Sequence, residues 1–287
     1  MPRAIPDAPG ASPPAPAGVG AYGLTLSGLA EAEALLVDSE PSWPTLQIAV
    51  RQGDTSVAAD HVDDDEATMA LLGASVHVER LPGRAAFVFD RPVTVDAVLH
   101  PYLAPVAALV NHWHGRTALH GGSFVAAGEA WGILGEREGG KSSTLARLAL
   151  DGASVVSDDL VVTDGRRVFA GPRALDLRPE AARLLDAGVP LGVLGARERW
   201  RLRLGEAPAA TPLAGWVFLT WGSDVALTPV PPGERLKRLA AERSIRLTPH
   251  DPEALLRLAA RPGWELRRPR SWSSLEAAVT LLRERIS

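Results

Sequence analysis

Gly135-Glu136-Arg137-Glu138-Gly139-Gly140-Lys141-Ser142 sets a glycine, four further residues, a glycine, a lysine and a hydroxyl in one run. That spacing suits a phosphate. Successive backbone N–H groups can curl around an anion where glycine removes the Cβ clash, and a helix starting at the end of the loop points its positive end at the charge. In such a loop Lys141 reaches the β- and γ-phosphates, Ser142 holds Mg²⁺ and Ser143 follows in the first helical turn. ATP and Mg²⁺ are therefore the expected ligands. Lysine is scarce in the chain: of 30 basic side chains only Lys141 and Lys237 are lysine, the rest arginine. A compact ammonium does at Lys141 what a planar guanidinium cannot.

Ser157-Asp158-Asp159 is a second group of interest. It closes the strand expected after the loop's helix, and in α/β folds that end of a strand faces the ligand. A carboxylate there lies within reach of a metal ion or of a γ-phosphate; the plainer reading is an Asp pair capping a turn. His112, His114 and His120 stand close together in sequence. Three histidines can form a zinc site, but no carboxylate with ligand spacing accompanies them.

These residues need elements to place them. Gly121 to Ala127 and Trp131 to Leu134 read as strands around Gly128-Glu129, and a helix is expected from Lys141 to Leu150. Ala153 to Ser157 is the next strand; Leu160 to Thr163 and Arg167 to Ala170 form a hairpin across Asp164-Gly165. Val95 to His112 predicts a helix kinked at Pro101 and Pro105. Gly215 to Trp221 reads as a buried strand with Val225 to Val230 as its partner. Gly222-Ser223-Asp224 is a turn, and helices are predicted over Glu234 to Arg243, Pro252 to Ala260 and Ser273 to Ile286. Upstream, alternation at Gly23 to Leu26, Gln47 to Val50, Ser75 to Val78 and Ala86 to Phe89 predicts strands. Turns are expected at Gly53-Asp54 and Gly83-Arg84. The acidic run Asp63 to Glu66 reads as a solvated helix start rather than a metal site. Residues 1–20, mostly Pro, Ala and Gly, read as a disordered tail, 21–96 as an N-terminal α+β module, and 97–287 as the domain that carries the loop.

Composition narrows the functional classes. With no cysteine, disulfides, thiolate zinc sites and cysteine nucleophiles are excluded. The net charge of −4 and scattered tryptophans argue against a nucleic-acid reader. No signal-peptide pattern opens the chain, and no apolar run reaches the roughly 20 residues of a membrane span. A soluble, cytoplasmic protein that binds neither nucleic acid nor membrane is expected.

His120, the loop Gly135 to Ser142 and Ser157-Asp158-Asp159 together resemble the core of the bacterial HPr serine kinase/phosphorylase family, with His120 21 residues before Lys141 and Asp159 18 residues after it. The resemblance covers 119–179. It implies an α/β fold, an HPr-kinase/PEP-carboxykinase-like P-loop core of mixed sheet and helices beside a smaller, mostly β N-terminal module. It implies Asp159 as the base that activates an acceptor serine, with His120, Lys141 and Asp158 in the catalytic site. Asp176-Leu177-Arg178-Pro179 is similar to the family's metal-binding motif, with Asp for Glu and Pro for Gly, which implies Asp176 as a second Mg²⁺ ligand beside Ser142, with Arg178 lining the site. Family members form hexamers, so a homo-oligomer is implied by the family alone. The family's later arginine, tied to dephosphorylation, is replaced by proline in Val230-Pro231-Pro232-Gly233-Glu234-Arg235, which weighs against phosphorylase activity and against HPr as the substrate. Tyr22-Gly23-Leu24 and Arg116 to Gly122 are similar to the HPr-kinase-related kinases of lasso-peptide biosynthesis, implying a serine of a precursor peptide or protein as acceptor.

Two other readings fit the same residues. One is a nucleotide-binding regulator or leader-binding module without transfer activity, suggested by Glu136 and Glu138 in a loop meant for anions and by the altered Asp176 motif. The other is a kinase of a small molecule.

Overall fold

A helix that is apolar on every side must be covered on every side. Leu103–Trp113 is such a helix, with ten of its eleven residues buried. In the computed structural model, which describes residues 18–248 and 251–286, two eight-stranded sheets cover it.

The first sheet holds the predicted strands of the N-terminal half. Its order is Val37–Asp38, Val19–Ala21, Leu24–Ser27, Thr45–Gln52, Arg84–Phe89, Ala74–Glu79, Glu66–Leu71 and His61–Val62. Tyr102 meets it edge-on at Phe89, the ring centres 4.9 Å apart, and the indole of Trp113 donates to the Asp63 carbonyl at 2.8 Å.

The second sheet carries the glycine loop. Two long strands, Thr117–Ala126 and Ala210–Trp221, each serve two sets of partners along their length. The first halves of both are bridged by the hairpin Leu160–Thr163/Arg167–Phe169. The second halves are bridged by Glu129–Leu134, antiparallel to one and parallel to the other, so that five strands close a ring. Val155–Ser157 adds to Thr117–Ala126. Gly263–Arg268 and Ala226–Pro229 extend the sheet beyond Ala210–Trp221. A three-stranded sheet, Ala174–Leu177, Arg197–Arg203 and Val189–Leu194, stands beside it.

Several expectations change. Of the predicted tail, Val19–Ala21 is a strand paired on both sides, and 1–17 lie outside the described residues. The acidic run starts no helix: it turns the chain between His61–Val62 and Glu66–Leu71, where the Asp63 carboxylate accepts the N–H groups of Asp65 and Glu66. The predicted kink falls at His100, the one non-helical residue of Val98–Tyr102, whereas Pro105 sits in the first turn of Leu103–Trp113, where a missing N–H costs nothing. Ala226–Pro229 pairs with Gly263–Arg268 instead of Ala210–Trp221. One apolar cluster runs from Leu24, Leu46 and Phe87 through Leu103 and Leu109 to Val162 and Trp216, so the hydrophobic core crosses the boundary expected at 96/97. No helix among the described residues is long and apolar enough to cross a membrane.

Asn111 ties the two halves. Fully buried, it donates to the carbonyls of Tyr22 and Ala107 at 3.0 and 2.8 Å, and its oxygen accepts from Arg116 at 3.0 Å. Asn111→Ala should therefore cost about 2 kcal/mol, the penalty for stranded buried groups, and lower Tm by roughly 4–8 °C. A thermal melt checks this; an unchanged Tm would mean that Asn111 does not join the sheets.

Candidate active site

The glycine loop leaves the strand Glu129–Leu134 and enters the helix Lys141–Leu150. Backbone conformation dictates its composition: Glu138 and Gly140 have φ of 67° and 87°. A Cβ on Gly140 would lie 2.8 Å from Arg268. The side chains of Glu136, Arg137 and Glu138 are exposed. Glu138 is neutralised by Arg178 at 2.8 Å. Lys141 lies across the loop and donates to the carbonyls of Gly135 and Glu136 at 2.6 and 3.0 Å. Burial lowers its pKa, opposed by Glu242, Asp158 and Asp159. Ser142 and Ser143 follow, half-buried in the first helical turn.

Under this turn lies Asp158, 3 % exposed. Its Oδ1 accepts the Ser142 hydroxyl at 3.1 Å, while Oδ2 is buried with no partner. Burial first, and the neighbouring Asp159 second, push its pKa well up. The backbone around it admits little change. A Cβ on Gly122 would stand 2.6 Å from the Ser157 carbonyl oxygen, and Ser123 and Ser157 share a hydrogen bond of 2.7 Å.

Asp159 is held in an unusual turn. Its φ is 64°, and the N–H of Leu160 reaches back to the Asp158 carbonyl at 2.8 Å, the i to i+2 bond of a strained γ-turn. The same carbonyl accepts the Tyr22 hydroxyl at 3.0 Å. Burial raises the Tyr22 pKa, with Asp159, Asp158 and Asp176 adding to the effect, so the phenol stays a donor. The turn directs Asp159 Oδ2 to within 3.0 Å of His100 Nε2.

Behind His100, Asp176 is engaged. It sits directly across the ladder from Arg201, which donates to both of its oxygens at 2.8 and 3.1 Å. The metal-ligand role expected of Asp176 thus meets a carboxylate already clamped by a guanidinium, 3.8 Å from His100. Among the described residues, the buried carboxylate oxygen left without a partner is on Asp158.

His120 lies on the long strand Thr117–Ala126. Its backbone N–H donates to the Glu242 carbonyl at 2.7 Å, and the residue is exposed. Desolvation by the surrounding protein, then the charge of Lys141, lowers its pKa; Asp159 opposes them. His112 is buried and His114 exposed on the helix and its cap, and no histidine trio converges: the metal-capable group among the described residues is the exposed His61, Asp63 and Glu66.

No protein-family model matches this chain, and no curated protein does. Among solved structures, the HPr(Ser) kinase/phosphatase from Coxiella burnetii is similar over 58% of this chain and 95% of that one, at 10% identity and a TM-score of 0.30. The roles of individual residues rest on the contacts around them.

The structure brings His120, Lys141, Ser142, Asp158 and Asp159 close together, with Asp176 3.8 Å from the His100 ring that meets Asp159. It also brings in residues that sequence reasoning passed over as chemistry: His100, Arg199, Arg201 and Glu242, with Tyr22 beneath. His100 follows Leu99 in an apolar run and Arg201 lies in a strand that was not predicted, so neither carried a motif.

Asp158 generates a prediction about stability. With its folded pKa above the ordinary 3.8, the folded state holds its proton longer than the unfolded one, and stability falls as pH rises through that window and stays lower above it. Asp158→Asn removes the effect. Without nucleotide the variant should melt roughly 2–4 °C above the parent at neutral pH, the shift of about 1 kcal/mol in a chain of this size, and the gap should narrow as pH falls. Melts across pH read this directly; a variant that melts lower at every pH would contradict the strained carboxylate.

Proposed function

We propose that the chain is an ATP- and Mg²⁺-dependent kinase that transfers the γ-phosphate to a hydroxyl, in the first instance a serine of a peptide or protein. One observation carries this reading: a buried carboxylate with an unpartnered oxygen, bonded to the first-turn serine of a glycine loop, adjoins a second carboxylate held in a strained turn at the same opening.

The donor set fits the expected metal. Ser142 and Asp158 would hold Mg²⁺, a hydroxyl and a carboxylate oxygen being the hard ligands it takes, and the ion supplies neutralisation of phosphate charge. This differs from the assignment to Asp176, whose charge Arg201 already balances. Lys141 would leave the loop carbonyls for the phosphate oxygens, which are stronger acceptors. Asp159 takes the proton of the attacking hydroxyl. His100 holds one of its oxygens, which leaves the other for the acceptor. His120, its pKa lowered, stays a neutral imidazole at pH 7 and orients the acceptor or the phosphoryl group. Asp158, across the peptide bond, is the carboxylate whose charged form the metal would stabilise.

A precursor peptide of the lasso type is the specific acceptor that the motif resemblance suggests. The rival reading, a nucleotide-binding module without transfer, draws support from the clamped Asp176. Radiolabelled ATP with a serine peptide separates them, since only a kinase moves label to the peptide.

Asp159→Asn should reduce transfer about 10²–10⁴-fold, the usual share of a general base, while leaving ATP affinity near the parent value. Lys141→Ala should reduce it about 10²–10³-fold or more through lost charge stabilisation and weaken ATP binding as well. Steady-state kinetics with calorimetry test both; near-normal turnover in Asp159→Asn would remove the base from this account.

A further inference from the structure

The strand Arg197–Arg203 reads Arg-Glu-Arg-Trp-Arg-Leu-Arg. Its period of two sends the arginines to one face and Glu198, Trp200 and Leu202 to the other. Trp200 and Leu202 pack against the apolar cluster around the loop's helix. The arginine face turns to the aspartates: Arg201 clamps Asp176, and Arg199 donates to His100 Nε2 at 2.8 Å, the nitrogen that faces Asp159.

The charge on this face is not balanced. Asp176 is taken by Arg201 and Glu138 by Arg178. Among the described residues, Arg197, Arg199 and Arg137 have no carboxylate within salt-bridge distance, and the Nε of Arg199 is buried without a partner. Desolvation, followed by the charges of Arg137 and Arg178, lowers the pKa of Arg197, with Glu138 opposing them. Nor can the His100 nitrogen serve both neighbours, because one imidazole nitrogen carries either a hydrogen for Asp159 or a lone pair for Arg199. Arg199 is thus a cation with an unsuitable partner, beside the group proposed as base.

We propose that the arginine face of this strand is the docking site for the acceptor, and that the acceptor is an extended, acidic peptide segment whose serine reaches Asp159 while its carboxylates meet Arg199 and Arg197. Successive arginines on one face stand roughly 6.6 Å apart, the repeat of alternate side chains in an extended peptide, and guanidinium pairs carboxylate bidentately. The partner of Arg199 across the ladder is Gly192, which brings no side chain to crowd it. An arriving carboxylate draws Arg199 off His100 and frees that nitrogen to donate to Asp159. The proposal rests on the kinase reading for the acceptor's serine, not for its charge.

Fluorescence anisotropy tests it with the full chain and two labelled serine peptides, one with Asp at alternate flanking positions and one with Asn in their place. The Asp peptide should bind at least about 10-fold tighter, with affinity falling as salt rises. Arg197→Gln should remove most of that preference, and Glu198→Gln, on the opposite face, should not. Equal affinity for the two peptides, or no binding of either, overturns the proposal. So does an Arg197→Gln variant that loses ATP affinity but keeps the peptide preference, which would assign the arginine to nucleotide phosphates. Label transfer from ATP, read in the same samples, reports the kinase reading separately: an Asp peptide that binds selectively but stays unlabelled upholds the docking site and fails the kinase.

Discussion

A carboxylate buried with one oxygen unpaired is costly, and Asp158 is the position around which the rest of this molecule is arranged. Its Oδ1 binds the first turn of the helix that follows the glycine loop. Its backbone carbonyl anchors both the γ-turn of Asp159 and the hydroxyl of Tyr22. Its Cα sits against Gly122, where any side chain would collide with the neighbouring strand and helix. Such a group survives in a folded protein when it meets a charge that the isolated chain lacks. In the proposed function that charge is a divalent cation held with a triphosphate.

The N-terminal sheet has a part in this arrangement. Tyr22 reaches the site from the turn after Val19–Ala21, and Asn111 fixes that turn to the central helix. His100 stands where the chain breaks its helical geometry before Leu103–Trp113, and it contacts Asp159 at 3.0 Å. Groups from the N-terminal sheet, the central helix, the loop sheet and the three-stranded sheet thus support two adjacent aspartates. The base proposed at Asp159 would thereby keep one orientation, which is what proton transfer within hydrogen-bond reach requires.

Much of this was legible in the residues alone. Glycine spacing identified the loop because backbone curvature restricts the residues allowed there, and the strand and helix on either side follow from ordinary periodicity. The paired aspartates were legible because they end a strand next to that loop. The three-stranded sheet was not. Val189–Leu194 is half exposed and broken by Pro190 and Gly192, and four arginines in Arg197–Arg203 imitate a solvated loop. Their alternation has meaning only once Asp176 is seen across the ladder. Asp176 itself was assigned from a motif, and the contact that redirects it, Arg201, lies 25 residues away in sequence. The acidic run at Asp63 to Glu66 misled for a related reason: aspartates that cap a turn and aspartates that start a helix use the same local hydrogen bonds.

The central claim is that Asp158, beneath the loop, completes a metal–nucleotide site with Ser142. A crystal structure of the protein with Mg²⁺ and a non-hydrolysable ATP analogue tests it most directly. The account predicts phosphates wrapped by the amides of 135–142, the ion in contact with both Ser142 and the free oxygen of Asp158, and Asp176 still clamped by Arg201. A nucleotide bound elsewhere, or an ion held by Asp176 with Asp158 turned away, would contradict it.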